Sequence, residues 1–357
     1  MKSKIITIPI KSYSKDKIGL LVIPTLAEIL QKKTGFSSTL ALNLADSYND
    51  RLKYAERYYE LIKDTEIKLD NVWMDTRNKE VLLDEVKKLI ELGFVTEKEK
   101  TINHCKCGRV DVSNDLIESL DGKCYTRNEN KIICNSCNEE AILEKKKALA
   151  FTVPKDIGSN IKIIPNGLHK QIIELNRKIE GNDIIISRQR NTGYQMNYND
   201  TIYNIDVDFV WQNYLASFAE DEKIVIGSNH TLYAMYMTNL IERCKNPDKS
   251  STMYIGVPHV KGLEDIQFKQ LSNEEKKLCL GFATCRMKNS DSKWEQQEYE
   301  YISKLNPNKK QEFFDRAYSI IPRGENEPLE DYISKIVFKE IKFQKAIEKK
   351  PKKQIER

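Results

Sequence analysis

Short β-branched runs alternate with longer stretches in which apolar residues return at helical spacing, and this alternation continues through most of the chain. KIITIPI, from Lys4 to Ile10, is apolar almost without a break and reads as a strand buried on both faces. A polar loop follows, KSYSKDK. From Gly19 to Lys33 the apolar residues Leu20, Val22, Ile23, Leu26, Ile29 and Leu30 fall on one helical face, with Pro24 early enough to be tolerated and Gly35 placed to stop the helix. STLALNLAD, from Ser38 to Asp46, is a second strand that runs out into Asp46-Ser47-Tyr48-Asn49-Asp50-Arg51. The first ~50 residues therefore predict a βαβ unit, a device that collects ligands at the carboxyl ends of its strands.

Two amphipathic helices are predicted over Tyr54 to Lys68 and Lys79 to Leu92, with a third strand and its exit loop, LDNVWMDTR, between them. The character changes at Thr101, where a cysteine-bearing insertion runs to about Glu144, followed by mixed structure to Gly181. NDIIISRQR, from Asn182 to Arg190, is strand-like. DEKIVIGSNH is a second clear strand with a polar exit, TLYAMYMTNLIERC its helix, and TMYIGVPHV a last strand. From Asn273 onward the pattern is mostly helical, ending in the basic tail KKPKKQIER. The expected fold class is α/β: a Rossmann-like, mostly parallel sheet with a zinc-ribbon-like insertion and a short helical C-terminal region. The expected division is a first half of the core over 1–100, the insertion over 101–180, a second half of the core over 181–272 and the helical region over 273–357.

Composition narrows this picture only a little. The chain has 357 residues, 40% of them hydrophobic and 31% charged, as a globular protein with a well-charged surface has. A net charge of +5 permits a nucleic-acid partner without requiring one. The N-terminal apolar run is too short for a signal peptide and no stretch is long enough to span a membrane, so a cytoplasmic protein with no membrane partner is expected.

Eight cysteines in such a compartment point to thiols or metal ligands rather than disulfides. Cys105 and Cys107 form one close pair, and Cys134 and Cys137 another, with a hairpin-like stretch between. Two such pairs are how a zinc ribbon brings four thiolates to tetrahedral geometry. Cys-x-Cys is tighter than the usual spacing, and His104 and Cys124 are each placed to substitute for one ligand. The competing reading is a small hairpin with free thiols. Four sulfur ligands leave no open position, so a zinc ion here would be structural.

The order of these pieces, over roughly residues 4–320, resembles the catalytic domain of class I aminoacyl-tRNA synthetases. The family's His-Ile-Gly-His tetrapeptide corresponds to Lys17-Ile18-Gly19-Leu20. The strand exit LADSYNDR resembles that of the glutamyl branch, ISRQR (Ile186 to Arg190) a signature of the isoleucyl, valyl and leucyl branch, and DFVW with IGSNH the pocket segments of the methionyl branch. The cysteine insertion falls where many class I enzymes carry a zinc-binding connective peptide.

The resemblance implies ATP as cofactor, and a nucleotide, aminoacyl group or tRNA acceptor end as ligand. It implies nucleotide contacts at Lys17, Gly19, Gly227, Asn229, His230, Lys269 and Ser272, and aminoacyl or tRNA-end contacts at Asp46, Asp50, Arg188, Arg190 and Trp211. Against these stand plainer readings: an Asx turn or helix cap for Asp46 and Asp50, surface ion pairs for the arginines, a helix cap for His230, and core packing for Trp211 and Tyr214. Little chain follows residue 320, so any tRNA recognition is expected to lean on the acceptor end, the insertion and the tail.

In the family both histidines donate to ATP phosphates as charge builds during adenylation. Here Lys17 keeps a positive charge but Leu20 donates nothing, and losing one such donor typically costs about 10²–10³ in rate. The second signature, Lys-Met-Ser-Lys-Ser, finds only Gln270-Leu271-Ser272-Asn273, with Lys269 next door. Both losses strike the same ATP-dependent step. Two readings follow: a protein that keeps the fold to bind a nucleotide, aminoacyl group or tRNA end without ordinary adenylation, and a divergent ligase in which Lys17, Lys269 and their neighbours replace the lost clamps.

Overall fold

A computed structural model of the chain describes residues 3–11, 18–45, 60, 62–107, 110–111, 125–135, 137–158, 160–188, 194–218, 221–247, 252–258, 260–261, 263, 266–284, 292–294 and 296–337. Its centre is a parallel sheet. The first strand, β1 (Ser3–Thr7), breaks at Ile8-Pro9, where proline has no N–H for a ladder, and resumes as the two-residue β2 (Ile10–Lys11). A 3-10 turn (Ile18–Leu21) leads into helix α1 (Val22–Thr34), which Gly35 ends in the left-handed conformation at φ 71°. Strand β3 (Ser37–Asn43) then pairs with β1 and β2 on one side and with β4 (Asn71–Met74) on the other, always parallel.

Farther along, β10 (Lys162–Ile164), β15 (Glu222–Ser228) and β16 (Thr252–Val257) complete the sheet in the order β10-β16-β15-β1-β3-β4, with β2 continuing the β1 edge of β3. The sheet turns its winding between β1 and β15, which pair directly from Ser3 opposite Glu222 to Thr7 opposite Ile226.

Side-chain alternation along these strands divides the interior into two cores. Ile5, Leu40, Leu42, Ile224, Ile226, Met253 and Ile255 point to one face, which α1 and the C-terminal helices cover. Ile6, Ala41, Val225 and Tyr254 point to the other, beneath helices α2 (Lys79–Glu91), α3 (His169–Ile179), α4 (Val207–Ala216) and α5 (Leu232–Lys245). On the first face the short α6 (Ile266–Gln270) precedes α7 (Asn273–Thr284), α8 (Gln296–Ser303), α9 (Pro307–Tyr318) and a last helix over 329–337. This region is tied to the core through buried Lys33 and Glu222: Lys33 donates to the Arg316 carbonyl at 2.6 Å, and Arg323 grips the Glu222 carboxylate with contacts of 2.9 and 2.7 Å.

The insertion is a stalk. Strands β5 (Val95–His104) and β9 (Ile142–Thr152) run antiparallel from Val95 opposite Phe151 to His104 opposite Ile142. At the base of the stalk Leu149, Phe151 and Val153 are buried in the second core, while Ile142 and Leu143 at its far end are exposed. The two-residue β6 (Val110–Asp111) pairs with the end of β5, and a small hairpin, β7 (Tyr125–Asn128) and β8 (Lys131–Cys134), sits at the tip.

Sheet membership differs from the expected division in two places. Lys162–Ile164, inside the span assigned to the insertion, is a strand of the central sheet. The NDIIISRQR stretch, assigned to the core, instead supplies β11 (Asp183–Ile185), which pairs antiparallel with β9, and β12 (Ser187–Arg188), which joins β13 (Tyr194–Tyr198) and β14 (Thr201–Ile205) in a separate sheet. Apolar runs of three or four residues carry no mark of which sheet they will join, and only the pairing decides. Of the predicted helix over Tyr54 to Lys68, residues 60 and 62–68 are described and the helix runs through Asp64; the rest of it lies outside the described residues, as does the basic tail. Among the described residues no helix is long and apolar enough to cross a membrane.

Candidate functional site

In an open parallel sheet the ligand crevice forms outside the carboxyl ends of the strands, where the winding reverses. Here that place is the exit of β1 and the exit of β15. Glycine lets α5 approach both strands at once: a Cβ on Gly227 would stand 2.4 Å from Thr231 Oγ1, 2.7 Å from Met235 Cε and 2.8 Å from Ile8 Cγ1. Ser228 and Asn229 are half-buried and His230 is exposed, and Asn229–Thr231 form the turn that starts α5, with Thr231 Oγ1 donating to the Ser228 carbonyl at 2.7 Å. On the β1 side, Gly19 packs against the chain itself, since a Cβ there would lie 2.8 Å from the Val260 carbonyl oxygen. Leu20 packs against the apolar core that α1 covers. Helix α1 begins with no side-chain cap and no acidic residue in its first turn.

The loop matched to the second signature has a local task. Ser272 is the N-cap of α7: its hydroxyl lies 3.0 Å from Glu275 Oε2 and accepts from the Glu275 amide at 3.3 Å, and its own amide donates to Glu275 Oε2 at 3.1 Å. This is a reciprocal capping box, written in the sequence as Ser-x-x-Glu. Asn273 donates to Glu66 at 3.3 Å, and Lys269 is exposed on α6.

At the neighbouring strand exits the structure reveals a residue that motif matching passed over. Asp75, immediately after β4, is fully buried. Its Oδ1 accepts from the amides of Leu44 at 2.9 Å and Thr76 at 2.8 Å, and its Oδ2 from Ala45 at 3.1 Å and the Trp211 indole Nε1 at 3.2 Å. Burial pushes its pKa up, and the amides of Leu44 and Ala45 and the indole only partly offset this. The buried Tyr194 hydroxyl faces the same carboxylate without good hydrogen-bond geometry, and burial together with the Asp75 charge raises its pKa.

Trp211 is 1% exposed, as its plainer reading required, and its ring meets Trp73 edge-on at 5.1 Å. Trp73 in turn stacks on the half-buried Tyr214 at 4.3 Å. The available signal for Asp75 was an acid directly after a predicted strand, but nothing in the sequence set it above Asp46 and Asp50. Those two, with Lys17 and Arg190, lie outside the described residues. Arg188 is placed by its backbone, opposite Asn204 in the pairing of β12 with β14.

At the stalk tip, the Sγ atoms of Cys105, Cys107, Cys134 and Cys137 lie within 4.8 Å of one another. Cys105 and Cys107 are 2.6 Å apart, Cys107 and Cys134 3.6 Å, and Cys137 and Cys105 3.8 Å. The knuckle is formed by the Asn138 amide donating to the Cys134 carbonyl at 2.8 Å, with Asn138 in the left-handed conformation at φ 58°. Tyr125, buried beneath, donates to the Asn103 carbonyl at 3.2 Å. An all-thiol donor set with half its members buried fits a soft or borderline metal ion. His104 turns to Glu144 instead, at 2.6 Å, and Cys124 lies outside the described residues.

No family model matches the chain, and no curated protein matches it either. Solved structures do. The methionyl-tRNA synthetase of Mycobacterium tuberculosis bound by methionyl-adenylate superposes with a TM-score of 0.62 at 10% identity, over 88% of this chain and 70% of that one. A second structure of that enzyme in complex with methionyl-adenylate gives 0.59 at 10% identity, over 84% of this chain and 68% of that one. Its apo form gives 0.58 at 11% identity, over 84% and 65%. The fold is that of a class I aminoacyl-tRNA synthetase catalytic domain.

Proposed function

We propose that the chain is a class I synthetase-like protein that binds a nucleotide, an aminoacyl group or a tRNA acceptor end in the crevice between β1 and β15 without carrying out ordinary adenylation. The observation that carries this reading is the fate of the two ATP-side segments. Half-buried Leu20 packs against the apolar core where the family has a phosphate-side donor, and Ser272 is engaged as a helix cap. The crevice itself keeps its two glycine-permitted close approaches and an α1 start free of acidic residues. Binding survives such changes more easily than transition-state stabilisation, because a donor aimed at developing charge contributes mainly to rate.

The four thiols support a structural zinc ion held by Cys105, Cys107, Cys134 and Cys137. Such an ion would join the two halves of the ribbon and leave no coordination position for chemistry. Thiols kept reduced for a metal suit a cytoplasmic setting.

Pyrophosphate exchange with all twenty amino acids, with and without bulk tRNA, tests the reading on zinc-loaded protein. The expected result is no exchange. Exchange with a single amino acid overturns it and establishes an active ligase, in which Lys17, Lys269 and their neighbours have taken over from the lost clamps.

A further inference from the structure

Away from the crevice, toward the amino ends of β15 and β16, a group of polar side chains is buried between the sheet and α5. Lys223 and Thr252 are paired neighbours on the two strands. Thr252 and Tyr254, two residues apart on β16, point to the same face of the sheet. Asn239 and Glu242, three apart on α5, share one side of the helix. All five are buried, with Glu242 the most exposed at 5%.

Their pairing within the chain is partial. Glu242 Oε1 accepts from Lys223 Nζ at 3.0 Å and from Thr252 Oγ1 at 2.7 Å, and Lys223 also donates to the Leu215 carbonyl at 3.1 Å. Glu242 Oε2, the Tyr254 hydroxyl and both polar atoms of the Asn239 amide find no hydrogen-bond partner among the described residues. These groups lie close together: the Asn239 amide and the Glu242 charge both act on the Tyr254 oxygen, and burial with that charge holds the phenol well above its ordinary pKa, so it is a neutral donor.

The mixture of donors and acceptors selects the occupant. Tyr254 donates, Glu242 Oε2 accepts, and the Asn239 amide does both. A metal cation would need acceptors alone. An anion would need donors alone and would meet the Glu242 carboxylate. Either would also upset the balance of charge that Lys223 and Glu242 already strike. Water both donates and accepts, and a buried water typically makes about three hydrogen bonds.

We infer that a resident water molecule is bound here, bridging Glu242 Oε2 to the Tyr254 hydroxyl and the Asn239 amide and completing the joint between α5 and β16. The same helix carries Met235 against Gly227, so this joint helps to seat the wall of the crevice. The inference does not depend on the proposed function.

Two measurements on the full-length, zinc-loaded protein test it: a crystal structure of the wild type at a resolution that shows ordered water, and urea unfolding of the wild type and Tyr254→Phe, which deletes only the hydroxyl. The expected density is a water within about 3 Å of Glu242 Oε2 and of at least one of the other two groups. The expected folding equilibrium constant of Tyr254→Phe is about five- to tenfold lower than that of the wild type, as for the loss of one satisfied hydrogen bond. A dry joint predicts the opposite sign, because removing an unpaired buried hydroxyl relieves a cost. Unchanged or raised stability in Tyr254→Phe therefore overturns the inference. So does wild-type density that shows an ion, or Asn239 turned to bond Tyr254 and Glu242 directly with nothing between them. The wild-type density decides even if Tyr254→Phe fails to fold.

Discussion

Asp75 at the crevice and Asp183 at the base of the stalk are both carboxylates at the edge of a strand, and their surroundings could hardly differ more. Asp75 is sealed among amides and an indole, and burial lifts its pKa. Asp183 is partly buried too, and burial works against its charge. Yet Lys100 and Lys98, each 2.6 Å away, together with Thr152 at 2.8 Å, outweigh it and hold the carboxyl down to about 2. The crevice end is thus organised by directional bonds between neutral donors and one acid. The stalk is laced by ion pairs such as Lys145 with Glu99 and Lys147 with Glu97, which water and salt screen. Directional bonds fix angles, and ion pairs mostly hold strands together. A region whose geometry must be held to an angle needs the former, and a projecting arm can manage with the latter.

The sharpest way to separate the two regions is at the ribbon. Metal binding to a four-thiol structural site is worth about 10–16 kcal/mol in small zinc modules, so Cys134→Ser should reduce bound metal from about one ion per chain to none. Residues 125–141 should then exchange their amide hydrogens rapidly while the core strands stay protected, as read by elemental analysis and hydrogen exchange. A ribbon that stays protected without metal would show that Tyr125 and the hairpin suffice.

Next in size is Gly227→Ala, where the added methyl meets Thr231, Met235 and Ile8 inside normal contact distance. Overpacking of this kind costs about 1–3 kcal/mol, read from urea unfolding. No loss would mean that the Thr231 and Met235 side chains yield, and that the crevice wall is softer than the stalk it is compared with.

Ser272→Ala removes one helix cap and should cost about 1 kcal/mol with nucleotide affinity unchanged. A clear loss of affinity for the ATP analogue would return Ser272 to the site and weaken the account of a degraded loop. The smallest effect is electrostatic. The Asp183 carboxyl, below its ordinary 3.8 in the folded protein, contributes stability that is complete above about pH 4 and lost as pH falls through about 2. Asp75 runs the other way: its folded pKa is raised, so the cost of its charge is present above that value and is relieved as pH falls through it. Carboxyl titrations followed by nuclear magnetic resonance should find the two on opposite sides of 3.8. Both on the same side would remove the contrast.

Much of the fold was legible from pattern alone. The strand inside DEKIVIGSNH and the helix after it reach the structure within a residue or two, while the strand predicted over Lys4 to Ile10 breaks after Thr7 and the helix stopped by Gly35 opens as a 3-10 turn before Val22. A continuous β-branched run bounded by polar residues has few other outcomes in water, and glycine is the residue that takes φ 71° without strain. The cysteine pairs were legible for a similar reason, since close spacing on a knuckle confines the sulfurs before any long-range contact forms. The boundary between insertion and core was not legible, because Lys162–Ile164 and Asp183–Ile185 are equally short and apolar and choose their sheets by pairing. The site was legible only in outline. Ser272 looked like a worn phosphate clamp when matched to a motif, while Ser-x-x-Glu before an amphipathic helix also spells a cap, and the structure has the cap.

By itself, then, the sequence determined the alternation of strands and helices, the parallel βαβ start and the four-cysteine cluster, because each rests on residues close together in the chain. Tertiary structure decided what depends on distant residues meeting. It set the strand order that puts β1 beside β15, filled the open sides of Gly19 and Gly227 with Val260 and with Thr231, Met235 and Ile8, and brought Leu44, Ala45, Trp211 and Tyr194 to the one carboxylate of Asp75. Burial and hydrogen-bond direction are properties of that meeting, and no local spacing encodes them.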